Sequence, residues 1–410
     1  MNYLKIILYQ NMAIIVGTTI RYFKTVFKKG ESKVVVLEDI NYFSEESNKS
    51  KRALISLSPS AWLLAKKQYP NIKLFNIIGL IYIMVKVLNE KGYLVDIVDH
   101  RSEYMPTKDY DLFIGHGGYC RTIIDNLPSN AKIIQYVAGA FWKSFNKESE
   151  ERYNAFIERK NVKEQLKIRR NLDGLIEGEE YLTRKADIFF TGNNPRMINS
   201  FGKYKDKFFI TGYGSYIDNL LFIPIKEKDF EKGRKNFIYV GGSNGNIQKG
   251  MDLLIETFVS LPELNLYIYC KVEEEILKYY KNELKAKNIH YVYHWRFKPF
   301  QRKLKNLVKE INFTIHAPIN TGIGTAFMGS MGVGLIPVGY VDLVAPKESC
   351  VLTNSWQIDD LVKCVKEASS KSAEWCKNAS ELTIRNYKGN YSVENFETKF
   401  YKLIDKVNII

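Results

Sequence analysis

Two segments in the second half of the chain each follow the pattern of a strand, a glycine turn and a helix. The first glycine segment, residues 237–258, contains Gly241, Gly242 and Lys249. The second glycine segment, residues 313–337, carries Gly322, Gly324, Gly329, Gly332 and Gly334. Such turns present backbone N–H groups and the positive end of a helix dipole, and both favour a bound anion. With the full charge of Lys249 added, the two segments predict a site for a diphosphate.

The spacing of these glycines differs from two familiar nucleotide-binding fingerprints. A Walker loop places Lys-Ser/Thr directly after a glycine, whereas here Gly250 follows Lys249, and no Gly-x-Gly-x-x-Gly is present. A nucleotide-dependent dehydrogenase is therefore disfavoured. Taken alone, the first glycine segment is equally consistent with an ordinary strand–helix connection that carries a solvated lysine. Close packing of a helix on a sheet explains Gly332 and Gly334 well, but it does not explain Gly322 and Gly324, which precede the helix.

The strands that must hold these turns fall into two sets along the chain. In the first half, predicted strands begin near residues 53, 94, 112, 132, 188 and 208. A charged stretch at residues 226–236 separates them from a second set, which begins near residues 237, 264, 290, 313 and 335. Strands that alternate with helices are typical of α/β folds with parallel sheets. The sequence thus predicts two Rossmann-like doubly wound domains facing a cleft, where a ligand is expected.

The chain is basic, with a formal net charge of +15 over 410 residues. This charge predicts an anionic partner or surface, although a general lysine-rich composition explains it about as well. No zinc-finger spacing, RNA-recognition signature or basic zipper accompanies the charge, so no nucleic-acid partner is expected. The five cysteines are scattered and form no Cys-x-x-Cys, which disfavours disulfides and zinc and is consistent with a reducing cytoplasm.

The first thirty residues predict a basic amphipathic helix. They contain five basic residues, no acidic residue and a recurring set of apolar residues. The apolar run is too short for a spanning helix, and no small-residue cleavage site follows it. A helix that lies on an anionic membrane surface fits this pattern, which favours a peripheral protein on the inner face of the plasma membrane. A helix packed on the first domain is the alternative.

Together, the two glycine segments resemble the donor-binding domain of GT-B-fold glycosyltransferases, in particular the retaining, family 4-like enzymes that use nucleotide-sugars. The pattern Lys-Gly-x-Asp-Leu-Leu-Ile-Glu-x-Phe, residues 249–258, is similar to the phosphate-lysine turn of that family. The second glycine segment, with Gly-x-Gly at residues 322–324, is similar to its donor-sugar loop and the helix that follows. Four pieces elsewhere resemble a bacterial surface-polysaccharide branch, namely Ile114–Gly117, Ala138–Trp142 with Asn146, Gly192-Asn193 and Tyr391–Phe396.

The resemblance, which covers about residues 53–405, implies the domain roles. Residues 51–228 would form the N-terminal acceptor-side domain and residues 229–388 the C-terminal nucleotide-sugar-binding domain. A basic helix and linker at residues 1–50 would precede them. Residues 389–410 would form a C-terminal helix that packs back on the N-terminal domain.

The implied activity is transfer of a hexose-type sugar from a nucleotide-diphosphate sugar to a lipid-linked surface glycan, such as a capsule or O-antigen. Lys249 would stabilise the leaving diphosphate, so neither a metal nor a cofactor is expected. His116, at the end of a predicted strand, is a second catalytic candidate, and a packing role is its alternative. The implied donor-binding residues are Gly242, Ser243, Asn244, Lys249, His294, Thr321, Gly322, Gly324 and Thr325.

The sequence departs from the family pattern in the second glycine segment. The family usually has two glutamates separated by seven residues, one for the donor sugar and one for the ribose. Thr321 and Gly329 stand in those places here. The usual phosphate-binding arginine before Lys249 is also not evident. A non-catalytic GT-B relative that binds glycan or a partner transferase therefore remains the alternative function.

Overall fold

The computed structural model describes most of the chain. The described residues are 36–43, 50–68, 77–168, 173–192, 194–215, 222–241, 244–292, 304–319, 324–407 and 409. The predicted basic helix at residues 1–30 lies outside them, and so do five of the predicted donor-binding residues, namely Gly242, Ser243, His294, Thr321 and Gly322. Among the described residues, no helix has the length and apolar character needed to span a membrane.

Contacts divide the chain into two compact units. The N-terminal unit comprises Glu31–Asn146, Arg170–Tyr216 and Lys388–Ile410. The C-terminal unit comprises Lys147–Arg169 and Ile217–Tyr387. Each unit therefore contains a segment that is distant in sequence from the rest of that unit.

The N-terminal unit is built on a seven-stranded sheet with the order β1-β3-β2-β4-β5-β6-β7. Its strands are β1 (Val36–Ile40), β2 (Lys51–Ser56), β3 (Tyr93–Val98), β4 (Leu112–Gly115), β5 (Lys132–Tyr136), β6 (Ile188–Thr191) and β7 (Phe208–Ile210). Only the pairing of β1 with β3 is antiparallel. The inner strands are buried on both faces, because helices cover a parallel sheet on both sides, and this explains their nearly continuous apolar sequences.

The helices of this unit surround the sheet. They are α1 (Pro59–Gln68), α2 (Ile77–Glu90), α3 (Arg121–Asp125), the first turn of α4 (Trp142–Lys160), α5 (Asp173–Lys185), α6 (Pro195–Asn199) and α13 (Val393–Val407). Helix α13 shares an apolar core with α2. The ring centroids of Phe400 in α13 and Phe190 in β6 are 5.5 Å apart. The pair Lys86–Glu397, at 2.6 Å, joins the exposed sides of the same two helices.

The C-terminal unit is built on a six-stranded, fully parallel sheet with the order β10-β9-β8-β11-β12-β13. Its strands are β8 (Asn236–Val240), β9 (Asn265–Tyr269), β10 (Ile289–Tyr291), β11 (Phe313–His316), β12 (Ile336–Gly339) and β13 (Val351–Leu352). Its helices are the rest of α4, α7 (Phe230–Gly233), α8 (Met251–Val259), α9 (Glu274–Tyr279), α10 (Thr325–Gly332), α11 (Ile358–Ser370) and α12 (Ala373–Asn390). The predicted α/β fold class, with two units built on parallel sheets, is confirmed.

The order of strands in the C-terminal unit determines where the two glycine segments meet. The chain runs outward from β8 through β9 to β10, and then returns to place β11 on the other side of β8. The carboxyl ends of β8 and β11 are therefore neighbours at the topological switch point of the sheet. In open α/β sheets, this is the point at which ligands bind. Both glycine segments leave the sheet here.

Candidate functional site

The first glycine segment forms a tight turn between β8 and α8. Residues 246–250 make the turn, and helix α8 starts at Met251 after Gly250, whose φ of 78° is left-handed. A Cβ at Gly250 would lie 2.3 Å from the carbonyl oxygen of Ala317. Glycine is therefore required at this position by both its backbone conformation and the close approach of the second glycine segment.

Replacing Gly250 with alanine is expected to lower the free energy of unfolding by about 2–3 kcal/mol. The reason is that alanine adds left-handed strain and a clash with a backbone oxygen that cannot rotate away. Urea unfolding measures the change. Gly389→Ala is the matched control, because no atom lies within 4 Å of the Cβ position there. Equal stability of the Gly250→Ala and Gly389→Ala proteins would contradict the close contact.

Glu273 holds the middle of the first glycine segment. Its carboxylate accepts hydrogen bonds from the backbone N–H groups of Gly245 and Asn246, at 2.7 and 2.6 Å. In return, the Glu273 N–H donates to Asn246 Oδ1 at 2.7 Å. Two of the amides that the glycine pattern offers to an anion are thus already bound to a carboxylate. The anion-binding capacity of this segment depends correspondingly more on Lys249.

Lys249 lies at the carboxyl edge of the sheet. Its Nζ donates to the carbonyl oxygen of Asn244 at 2.5 Å, which brings two of the predicted donor-binding residues together. Burial, and after it the charge of Lys249, lowers the pKa of His316, at the end of β11, to about 3. The electrostatic influence of Lys249 therefore reaches the second glycine segment.

In the second glycine segment, the helix that follows the loop is packed against the sheet. Gly329, Ser330 and Gly332 of α10 are buried, and Ser330 Oγ donates to Thr314 Oγ1 of β11 at 3.0 Å. Gly329 has no side chain with which to contact a ligand. In contrast, the Cβ position of Gly324 is open, and Thr325, the first residue of α10, is half-buried.

Side chains of helix α4 are hydrogen-bonded to both glycine segments. Gln248 Nε2 donates to Ser149 Oγ at 2.7 Å, and the Gln248 carbonyl accepts from Ile319 N at 2.8 Å. Arg152, which is 1% exposed, donates from Nη2 to the Ala317 carbonyl at 3.0 Å. Its guanidinium lies 4.6 Å from the centroid of the Trp356 ring. One helix therefore sets the spacing between the two segments.

Two ion pairs join α4 to α8. Arg159 Nη2 donates to Asp252 Oδ2 at 2.5 Å, and Arg159 Nε donates to Glu256 Oε1 at 3.2 Å. Asp252 is fully buried in the first turn of α8, directly after Lys249-Gly250. Sequence reasoning missed this network, because Arg159 lies 93 and 97 positions before its two partners and no local pattern links them.

His116 lies at the corresponding switch point of the N-terminal unit, between β2 and β4. It follows β4 directly, and its Nδ1 lies 3.0 Å from the carbonyl oxygen of Tyr136. Because a carbonyl only accepts, Nδ1 carries the proton and Nε2 is the acceptor. Burial lowers the pKa of His116, so the ring is neutral. A neutral imidazole in this tautomer can accept a hydrogen bond from a hydroxyl through Nε2.

Two further titratable residues near His116 were not predicted from the sequence. The His100 ring lies 6.0 Å from the His116 ring, and burial lowers the pKa of His100 to about 4. Glu179 of α5 packs beside Gly117, whose Cβ would lie 3.8 Å from Glu179 Cα. Burial raises the pKa of Glu179 to about 8, even though the Trp142 backbone N–H donates to its carboxylate. The sequence feature that could have pointed to Glu179 is its neighbour Gly178, because a glycine inside a helix often marks close packing. The structure shows this packing: a Cβ at Gly178 would lie 1.6 Å from the Gly118 carbonyl oxygen.

Replacing Glu179 with glutamine is expected to stabilise the protein at pH 8.5 by about 1 kcal/mol or more, and to have little effect at pH 4.5. Between the ordinary value of 4.5 and about 8, the folded carboxyl stays protonated while the unfolded one ionises. Wild-type stability therefore falls as the pH rises through this window, and glutamine removes that loss. Urea unfolding at the two pH values measures the difference, with Glu177→Gln on the same helix as the control. An equal stabilisation by Glu179→Gln at both pH values would contradict the raised pKa of Glu179.

Comparison with solved structures places this fold among known ones. The chain is 11% identical to Anabaena HepE, solved in complex with UDP and glucose, with a TM-score of 0.51 over 87% of this chain and 99% of that one. A pneumococcal O-GlcNAc transferase, GtfA, solved with UDP and GlcNAc, is 17% identical with a TM-score of 0.46. That match covers 72% of this chain and 56% of GtfA. No family model and no curated protein matches the sequence. The fold is the GT-B architecture of two Rossmann-like units.

Proposed function

We propose that this protein is a glycosyltransferase that moves a hexose-type sugar from a nucleotide-diphosphate sugar to an acceptor hydroxyl. One observation carries the proposal. The two glycine segments leave adjacent strands at the switch point of the C-terminal sheet, and the first of them carries Lys249. A helix end and a lysine at such a point are suited to a diphosphate. The UDP and glucose in the HepE complex support this choice of ligand.

In the proposed reaction, the acceptor oxygen bonds to the anomeric carbon of the sugar as the bond from that carbon to the phosphate oxygen breaks. The electron pair of the broken bond leaves with the nucleotide diphosphate. Lys249 stabilises the negative charge that develops there, which makes the proposed reaction metal-independent and free of a cofactor. His116, through Nε2, takes the proton of the acceptor hydroxyl.

The proposed acceptor is a lipid-linked surface glycan, as in capsule or O-antigen assembly. The resemblance of the first half to surface-polysaccharide enzymes supports this assignment. The basic residues among positions 1–30 support attachment to the anionic inner face of the plasma membrane. The protein would then act as a peripheral enzyme at the site where lipid-linked glycans are extended.

A second candidate function, a non-catalytic GT-B relative that binds glycan or a partner transferase, rests on the second glycine segment. Gly329 is buried in α10 without a side chain, and Thr321 replaces the other carboxylate of the family pattern. Hydrogen bonds from sugar hydroxyls to charged acceptors are worth about 1.5–3 kcal/mol each. Loss of these hydrogen bonds weakens binding of the donor sugar and leaves binding of the diphosphate unchanged.

Two measurements on the purified full-length chain separate these functions. A thermal-shift panel of UDP-, GDP- and dTDP-sugars identifies a donor, because a ligand of the folded state raises the melting temperature. Release of nucleoside diphosphate in the presence of membrane lipid extract then reports turnover. A shift together with release supports the transferase, and a shift without release supports the non-catalytic relative. No shift with any nucleotide-sugar would contradict the diphosphate site.

A further inference from the structure

Among the residues that the structure describes, the buried imidazole of His316 meets no hydrogen-bond partner. His316 ends β11 and is 3% exposed. Its ring stacks on Tyr239 of β8, with centroids 4.9 Å apart and an interplanar angle of 17°, and it lies 5.4 Å from the ring of Phe327. Within the part of the chain that the structure describes, neither Nδ1 nor Nε2 meets a donor or an acceptor. Buried polar atoms in native proteins are nearly always paired, so this residue requires an explanation.

The position of His316 in the sheet suggests an explanation for its unpaired ring nitrogens. Strands β11 and β8 are neighbours at the switch point, so the stacked pair of His316 and Tyr239 lies where both glycine segments leave the sheet. The next residue, Ala317, is held by Arg152 and abuts Gly250. Lys249 is the charged group that acts on the His316 ring. An unpaired imidazole and a lysine therefore share the location expected for a diphosphate.

The protonation state of His316 defines what it can donate. Burial, and after it the charge of Lys249, lowers the pKa of the ring to about 3. The imidazole is thus neutral at physiological pH, with one N–H donor and one acceptor nitrogen. A neutral N–H donor beside a lysine adds a directional hydrogen bond to an anion without adding a second charge to desolvate.

The other unpaired group of the stacked pair has different surroundings. The Tyr239 hydroxyl also lacks a partner among the described residues. Burial raises its pKa, and Cys270, Asp252 and Glu273 raise it further, so the phenol stays protonated. The charge of Lys249 acts on the His316 ring. Of the two groups, His316 is therefore the one that we place beside an anion.

We propose that His316 is a further donor-binding residue, whose imidazole N–H donates to a diphosphate oxygen of the nucleotide bound by Lys249. The role rests on the proposed function of the site. The hydrogen bond strengthens binding of the nucleoside diphosphate and of the nucleotide-sugar alike. It explains why a polar ring occupies a buried strand end at which an apolar residue would satisfy packing.

Replacing His316 with phenylalanine tests the role in the full-length protein. Phenylalanine retains the stack on Tyr239 and removes the unpaired nitrogens, so the melting temperature without ligand is expected to stay level or rise. The Kd for UDP, or for GDP if that is the nucleotide bound by wild type, is expected to rise about tenfold by titration calorimetry. A Kd within twofold of wild type, in a protein that melts normally, would overturn the assignment.

Two further variants sharpen the test. His316→Gln retains an N–H donor near the position of Nε2 and is expected to recover part of the affinity lost in His316→Phe. This variant keeps the test valid if His316→Phe folds poorly. Tyr239→Phe removes the neighbouring unpaired hydroxyl and is expected to leave the Kd within twofold. A glutamine variant as weak as the phenylalanine variant, or a tenfold loss in Tyr239→Phe, would contradict a specific role of His316.

The pH dependence tests whether the imidazole acts in its neutral form. The ratio of the two Kd values, His316→Phe over wild type, is expected to be above one and constant from pH 5.5 to 8, because the ring takes up no proton in this range. A ratio that grows as the pH falls would show a cationic imidazole and overturn the neutral donor. If wild type binds no nucleoside diphosphate, the proposed function fails as well. If wild type binds and His316→Phe binds equally, only the assignment of His316 fails.

Discussion

Replacing Lys249 with methionine is expected to lower kcat/KM for sugar transfer by about 10²–10³-fold, the loss typical when one group that stabilises transition-state charge is removed. Methionine has a similar length and no charge. Lys249 lies at the carboxyl edge of the sheet, where its Nζ contacts the carbonyl oxygen of Asn244. Glu273 already occupies two amides of the same turn, so few other groups there can compensate. Release of nucleoside diphosphate over a range of donor concentrations measures the effect.

The matched control is Lys366→Met, which removes an exposed lysine from α11 of the same unit. It is expected to leave kcat/KM within twofold of wild type. Lys249→Arg retains the charge with a different shape and is expected to fall between wild type and methionine. Unchanged transfer in a correctly folded Lys249→Met protein would show that the diphosphate binds elsewhere.

Replacing Asp252 with asparagine is expected to lower the free energy of unfolding by about 3–5 kcal/mol, as when one member of a buried ion pair is removed. Asp252 is fully buried and accepts from Arg159 at 2.5 Å. Burial lowers the pKa of Arg152 to about 10, and the charge of Asp252 opposes that effect. Without the carboxylate, the buried guanidinium of Arg152 loses its main counter-charge.

Urea denaturation followed by circular dichroism measures this loss. Asp360→Asn is the control, because that carboxylate pairs with Lys363 on the surface of α11, and its removal is expected to change stability little. The Asp252→Asn protein is also expected to bind UDP more weakly, since Asp252 lies in the first turn of the helix that follows Lys249. A stability equal to that of the control would mean that the arginines are balanced by other groups.

Most of the strands, the turn at Lys249-Gly250 and the fold class could be predicted from the sequence. Apolar runs bounded by turn residues located most strands, because a parallel strand buried on both faces must be apolar over its whole length. Gly250 and Lys249 were found because a left-handed turn and a charged side chain have few substitutes. The alternation of strands and helices was sufficient to predict the α/β class. The predicted roles of Lys249, His116, Asn244, Gly324 and Thr325 stay predictions, as do those of the residues outside the described ranges.

The sequence did not reveal which distant residues the fold brings to these turns. Arg159 precedes Asp252 by 93 positions and Arg152 precedes Ala317 by 165. Glu179 follows Gly117 by about sixty. The unpaired state of His316 also becomes visible only when Tyr239 and Phe327 surround it. Local backbone geometry and the apolar pattern of a strand depend on neighbours in sequence, so the sequence by itself determined the elements and the charged turn at Lys249. Ion pairs, burial and pKa shifts depend on neighbours in space, and only the tertiary structure decided those.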